Sequence, residues 1–323
     1  MDKITLINTM NYYGTLRIPF LFAIDFECRH PVIKPLDEID PDLILFDING
    51  RTNAGACHSA DEPVMLTPHP LPYEIYRQKF MKVREHIVRG DTYLLNLTMP
   101  TRVDMNATLR DVFYQSAAKY KLYLKDRCVV FSPEIFIQIA DRIITSYPMK
   151  GTIDAALPDA AQAILNDPKE TAEHATIVDL IRNDLSMVSA RVRVTRYRYI
   201  DTLRTSNKTL LQVSSEITGE LDEYWNHHLG DILLTMLPAG SVSGAPKTRT
   251  VEIILSTEEY LRGFYTGVAG IFDGQSLDAG VMIRYIEQTH DGYYYKSGGG
   301  ITAFSDPEKE YQELLDKIYV PLS

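Results

Sequence analysis

Residues 264–319 read FYTGVAGIFDGQSLDAGVMIRYIEQTHDGYYYKSGGGITAFSDPEKEYQELLDKIY. Three apolar, strand-like runs lie near 264–272, 279–288 and 293–297. Asp273-Gly274 and Asp291-Gly292 separate them, and such dipeptides turn antiparallel hairpins. A Gly298-Gly299-Gly300 link then leads into a helix over about 306–319. Consecutive strands joined by short turns make a meander, not a strand–helix–strand unit. The expected fold class is therefore α+β, with large antiparallel sheets packed face to face and helices on the outside.

Upstream, residues 20–26 and 43–48 read as buried strands. Residues 49–72, rich in Gly, Asn, Asp and Pro, read as a long loop. Tyr76, Phe80, Val83 and Ile87 recur at helical spacing, and Gly90 is placed to end that helix. Short strands follow near 127–131, 135–139 and 142–147. A helix is expected over 169–186, with Ala172, Ile177, Leu180, Ile181 and Leu185 on one face. Residues 191–199 suit a strand whose four arginines form a solvated face. Further helices are expected over 226–236 and from Pro246, a proline at a first helical position.

The chain has 323 residues, and 33 Lys+Arg against 43 Asp+Glu give a net charge of −10. That balance argues against nucleic-acid or anionic-membrane partners, which need basic surface. Residues 1–18 lack the apolar stretch of a signal peptide. No apolar run approaches the roughly 18–20 residues a membrane helix needs. Three cysteines without a CxxC spacing argue against a disulfide framework or structural zinc and for a cytoplasmic protein. Cys57 and His58 are adjacent, so on an extended chain they point apart and make a poor catalytic pair. Cys128 reads as core.

Several residue patterns carry chemistry. Glu310 and Glu313 are three apart and share a helix face, as either a solvated acidic surface or a Mg²⁺ site. Gly298-Gly299-Gly300 is either a turn or a place where backbone N–H groups hold an anion. Ser243-Gly244-Ala245-Pro246-Lys247 opens a helix, and a helix N-terminus favours anions. Arg284 sits inside an apolar run, either at a sheet edge or buried and awaiting an anionic ligand. Lys150 lies among apolar and small neighbours, and a desolvated lysine can act as a neutral nucleophile. Glu134, after Pro133, reads by itself as a turn carboxylate.

Taken together, these segments resemble the chorismate-utilising enzymes, which include anthranilate, aminodeoxychorismate, isochorismate and salicylate synthases. The likeness runs from about residue 73 to the C-terminus. It is carried by Ser132-Pro133-Glu134, Pro148-Met149-Lys150-Gly151-Thr152, Ala172-Glu173-His174 through Asp184, and the Ser243–Lys247 loop. Arg262 through Gly267, Ile283-Arg284 and Ser297 through Ile301 complete it. The resemblance implies that family's fold, with residues 1–323 as one chorismate-binding domain. Residues 1–72 would be a reduced N-terminal segment contributing strands, and 73–323 the catalytic core. Lysine before Gly-Thr marks the aminodeoxychorismate synthase component I branch, where other branches usually carry alanine. Gln212 stands where anthranilate synthases usually have histidine, and Leu94 where glutamine is common. The short N-terminal part and the lack of a tryptophan-site motif argue against feedback by tryptophan.

For the site, the resemblance implies Mg²⁺ held by Glu173, Glu310 and Glu313 at the ring carboxylate of chorismate. Arg284, Tyr265 and the backbone of Gly298, Gly299 and Gly300 would hold the enolpyruvyl carboxylate. Gly151, Thr152 and Ser241 would line the ring, and Gln212 would donate to a ring oxygen. Lys150 would be the nucleophile and Glu134 the general acid. A glutamine amidotransferase subunit would supply ammonia, and the product would be 4-amino-4-deoxychorismate, a step toward p-aminobenzoate and folate. The alternatives are anthranilate or isochorismate formation on the same fold, or a non-catalytic paralogue that binds a metabolite or a partner.

Overall fold

The computed structural model describes residues 1–55, 62–204 and 209–322. The Cys57-His58 reading lies outside the described residues. Among the described residues, two antiparallel sheets of nine strands each face one another. The first runs Met149–Asp154, Thr209–Glu220, Ile143–Ser146, Ile135–Ala140, Leu277–Val281, Val268–Phe272, Phe20–Ile24 and Val32–Pro35. Ala190–Arg204 pairs along Thr209–Glu220. The second runs Gly244–Ala245, Leu94–Met105, Gly292–Ile301, Tyr285–Thr289, Cys128–Ser132, Tyr120–Leu124, Ile44–Ile48 and Arg51–Thr52. Leu66–His69 adds to the outer side of Leu94–Met105.

Period-two alternation explains why the strands are apolar throughout. In Phe20–Ile24, Leu21 and Ala23 point between the sheets, where they meet Phe46, Leu122 and Val130. Phe20, Phe22 and Ile24 point the other way, under helices that contribute Leu6, Ile177 and Leu233. Helices also cover part of the second sheet, where Phe80, Ile254 and Leu314 pack on Leu95, Leu97 and Met99. The α+β architecture read from the sequence is the one observed.

Local expectations met several corrections. The run near 279–288 is not one strand. It breaks at Met282-Ile283-Arg284, and its halves, Leu277–Val281 and Tyr285–Thr289, belong to different sheets. Gly298-Gly299-Gly300 is not a link. The three glycines are the last turn-free part of strand Gly292–Ile301, in register with Thr98, Leu97 and Asn96. The loop expected over 49–72 contains the strands Arg51–Thr52 and Leu66–His69. Pro246 is the N-cap of helix Lys247–Glu258, one residue before its first turn. Ala172 is exposed, because Glu173 and His174 take the inward positions on helix Pro168–Ser186.

The break at Arg284 matters for the site. The chain passes from the second sheet to the first at Ser132-Pro133-Glu134, and back at Met282-Ile283-Arg284. The crossings lie side by side. Phe131 N–H donates to the Arg284 carbonyl (3.0 Å), and Val281 N–H donates to the Glu134 carbonyl (3.0 Å). Arg284 takes φ +53°, a left-handed conformation uncommon for a side-chain-bearing residue. Two side chains distant in sequence are thus set together at the seam between the sheets.

Candidate active site

A cavity of about 500 Å³ opens at that seam. Glu134 and Arg284 enter it from the two crossings. Lys150, Gly151 and Thr152 enter from strand Met149–Asp154. The ladder pairs Lys150 with Val213 and Thr152 with Gln212, leaving Gly151 as a bulge with φ +68°. A bulge re-aims the residues beside it, and both Lys150 and Thr152 line the cavity. The positive φ favours glycine at 151, and a Cβ there would also lie 2.8 Å from the Glu170 carboxylate, which would have to move aside.

Helix Pro168–Ser186 starts on an Asp167 cap, whose side chain accepts from Glu170 N–H. Its first turns deliver Glu170 and Glu173 to the cavity. Lys150 Nζ is 3.7 Å from Glu173 Oε2. Helix Pro307–Asp316 is capped by Asp306 and presents Glu310 and Glu313 from the opposite side. The glycine strand runs between. A Cβ on Gly299 would lie 3.4 Å from Glu310 Oε2 and 3.6 Å from Glu313 Oε1. A Cβ on Gly300 would lie 3.1 Å from Leu94 Cδ1, 3.4 Å from Lys150 Nζ and 4.0 Å from Glu173 Oε2. The missing side chains keep open the floor that joins the amine to the carboxylates.

Ser241, in the short turn Gly240–Val242, donates to Glu134 Oε1 at 2.5 Å. Burial pushes the Glu134 carboxyl above the usual glutamate range. The Ser241 hydrogen bond and the charges of Lys150 and Arg284 only partly oppose that shift. Tyr265 is buried beside Tyr285, and burial raises its hydroxyl, which stays protonated. The Arg284 guanidinium lies 5.3 Å from the centre of the Tyr319 ring. Gln212 lines the wall beside Thr152.

All fourteen residues that the family resemblance implied for the site line this one cavity. Sequence reasoning missed Asn96, Glu170, Asp316 and Tyr319, which line it too, and gave no role to Lys317. Lys317 Nζ donates to the Gly298 carbonyl and to Glu313 Oε1, both at 2.7 Å. Desolvation lowers its pKa against the pull of Glu313. Its spacing of four from Glu313 was the available signal. The Ser243–Lys247 loop does not line this cavity. Lys247 Nζ is 2.6 Å from the buried Asp184 carboxylate, and Gly244-Ala245 pairs with Leu95 and Leu94.

Behind the wall, Arg262 is fully buried and ties three pieces together. It forms two hydrogen bonds to Glu258 (2.8 and 2.7 Å) and donates to the carbonyls of Val242 (2.8 Å) and Asn96 (2.6 Å). Among the described residues, no three His, Cys, Asp or Glu side chains gather closely enough to hold a metal ion as they stand. Glu173 on one side and Glu310 with Glu313 on the other are nevertheless oxygen donors. They face one open floor, which is the donor chemistry of a hard divalent cation.

Comparison with known proteins identifies the class. Residues 45–323 match the chorismate binding enzyme family, and the chain belongs to it. A Haemophilus influenzae protein described as an uncharacterized PabA-like protein is 49% identical over 318 residues, 98% of this chain and 96% of that one. Aminodeoxychorismate synthase component 1 of Klebsiella aerogenes is 32% identical over 261 residues, 76% of this chain and 56% of that protein. Against that synthase, the chain thus spans little more than half the relative's length. The crystal structure of anthranilate synthase component I from Streptococcus pneumoniae superposes with a TM-score of 0.67 at 29% identity, over 79% of this chain and 59% of that one. Among the described residues, no helix is long and apolar enough to cross a membrane.

Proposed function

We propose that this protein converts chorismate and ammonia to 4-amino-4-deoxychorismate, with Lys150 as nucleophile and Glu134 as general acid. One observation carries the reading. The Lys150 amine and the Glu134 carboxyl enter the same cavity, and Gly300 leaves space beside Nζ. Mg²⁺ held by Glu173, Glu310 and Glu313 would neutralise the ring carboxylate when bound. Arg284, Tyr265 and the strand Gly298–Gly300 hold the enolpyruvyl carboxylate. Fixing both ends sets the ring carbons against the catalytic groups.

The Lys150 amine forms a bond to C2 as both conjugated ring double bonds shift and the C4–O bond breaks. Protonated Glu134 gives its proton to the departing oxygen, which leaves as water. Its raised pKa suits that task. Ammonia then forms the C4–N bond, both double bonds shift back, and the C2–N bond to Lys150 breaks. The Glu134 carboxylate takes the surplus proton from the new amine. A glutamine amidotransferase subunit is the proposed source of ammonia.

Mass spectrometry of products from chorismate, Mg²⁺ and an ammonium salt tests the reading. The expected result is the 4-amino product and a Lys150-linked adduct, both absent in Lys150→Ala. Anthranilate or isochorismate as the product, or full ammonia-dependent turnover by Lys150→Ala, would refute it.

A further inference from the structure

A second, smaller cavity lies on the far side of Glu134. Its volume is about 20 Å³, room for one guest the size of water. Glu134 and Ser241 line both cavities, so these two side chains form the partition between them. Most of the remaining wall is apolar, with Phe136, Ile181, Met236 and Val281 among it.

The polar groups of the chamber are unevenly matched. The Ser146 hydroxyl is spent on the Phe136 carbonyl (2.9 Å), and the Ser241 hydroxyl on Glu134. Lys247 Nζ is committed to Asp184 Oδ1 (2.6 Å) and to the Met236 carbonyl (2.7 Å). Asp184 is 2% exposed, and its Oδ2 lies 3.0 Å from where a Cβ on Gly240 would stand. What faces the chamber is thus chiefly oxygen acceptors. Water divides its capacity between donating and accepting, whereas ammonia brings three donors to a space where the Asp184 carboxylate and serine oxygens accept.

We propose that this chamber is a holding site for ammonia, placed behind the general acid and one side chain away from the reacting ring. The proposal rests on the amination reaction above and adds to it the place where the second substrate waits. Ammonia held here is separated from the ring until Glu134 has given up its proton and the first C–N bond has formed. It passes the partition as a neutral molecule and needs no charged group to carry it.

Two substitutions from different elements crowd the chamber wall: Gly240→Ala sets a methyl group 3.0 Å from Asp184 Oδ2 and from the Leu180 side chain, which must give way, and Val281→Ile adds one from strand Leu277–Val281. In each variant the Michaelis constant for ammonium is expected to rise by about tenfold or more, a scale of about 1.4 kcal/mol. That for chorismate should stay within about twofold. Thermal unfolding supplies a readout that needs no turnover. Ammonium chloride should raise the wild-type midpoint above that in equal potassium chloride, because a guest bound only by the folded state stabilises it. Both variants should lose the difference. Unchanged ammonium constants in folded variants, or equal midpoints in the two salts for the wild type, overturn the proposal. If the wild type forms no aminated product yet keeps the ammonium-specific midpoint, and the variants lose it, the chamber stands and the proposed reaction falls.

Discussion

Replacing Gly300 by alanine is the sharpest test of the site geometry. The new methyl would stand 3.1 Å from Leu94 Cδ1, tight enough to require a shift of a few tenths of an ångström. It would stand 3.4 Å from Lys150 Nζ, at ordinary contact distance. Gly300 sits in a ladder opposite Asn96 and carries no left-handed φ, so the backbone accepts the substitution. A strand alanine gains roughly 0.5–1 kcal/mol over glycine. Crowding against buried Leu94 costs roughly 1 kcal/mol, the low end for overpacking. These nearly cancel, and the thermal midpoint should move by only a few degrees. Catalysis should not be spared. The methyl occupies room beside Nζ that the proposed ring position needs, and displacing the ring by about 1 Å costs about 10²-fold in rate. The assay is kcat for aminated product at saturating chorismate and ammonium, with adduct mass measured in parallel. Gly299→Ala is the control, because its methyl meets Glu310 and Glu313 instead and should raise the Mg²⁺ requirement while leaving adduct chemistry intact at high metal. A Gly300→Ala protein with kcat within about twofold of wild type and undiminished adduct would refute the placement of Lys150 against the ring.

Four further outcomes follow from the same structure. Glu134 has a folded pKa raised by burial, so the required acid persists above the usual glutamate range, and the rate falls as pH rises through that pKa. Glu134→Gln should remove this alkaline limb along with most turnover; stability linked to Glu134 is likewise greatest at low pH and lost as pH rises. Chelation should abolish turnover, magnesium should restore it, and Glu173→Gln or Glu310→Gln should raise the magnesium needed by about tenfold or more. Arg262→Met leaves the Glu258 carboxylate buried without its cation, a loss of about 3–5 kcal/mol readable by chemical denaturation. His174 is buried against Ser215 (2.6 Å) with its pKa pushed down to about 4 by desolvation, then by Arg198 and Lys150. Its ring signals in NMR should show no protonation from pH 8 down to about pH 5, whereas an unfolded histidine titrates near 6.5.

The sequence made legible what depends on short range. Gly90 ends its helix with φ +80°, as a C-terminal glycine should, and helix Pro168–Ser186 begins on the Asp167-Pro168 pair. What stayed hidden is fixed by pairing across the sheets. Gly298-Gly299-Gly300 has the composition of a turn, yet its ladder with Leu94–Met105 holds it extended, because sheet partners override intrinsic preference. The apolar run through Arg284 reads as one strand, since nothing in it marks where the chain changes sheet; only the paired crossing at Glu134 shows why it must break there. The helix Lys3–Thr15 escaped notice because its packed side is narrow, consisting of Leu6, Met10 and Gly14. For the site, the family likeness named residues that do share one cavity. Glu170 was missed because its place depends on how helix Pro168–Ser186 meets the bulge at Gly151.

The charge of the cavity joins these observations into one constraint. Its wall carries six carboxyl groups, from Glu134, Glu170, Glu173, Glu310, Glu313 and Asp316, against three cations, Lys150, Arg284 and Lys317. Lys317 is already paired with Glu313, and Lys150 lies beside Glu173. Arg284, over an aromatic ring and not a carboxylate, is the cation best placed for an anion. Even with Glu134 protonated, five carboxylates remain. Two like charges 4 Å apart repel by about 4 kcal/mol at the effective dielectric of such a site. A dianion entering this space alone would meet several such penalties and one well-placed guanidinium. The carboxylates on the Glu310–Glu313 side therefore favour a positive guest first, and an anion only afterwards or together with it. Under the proposed reaction, magnesium and chorismate should bind with strong mutual coupling, each tightening the other's binding by the same factor, and titrating each with and without the other measures it.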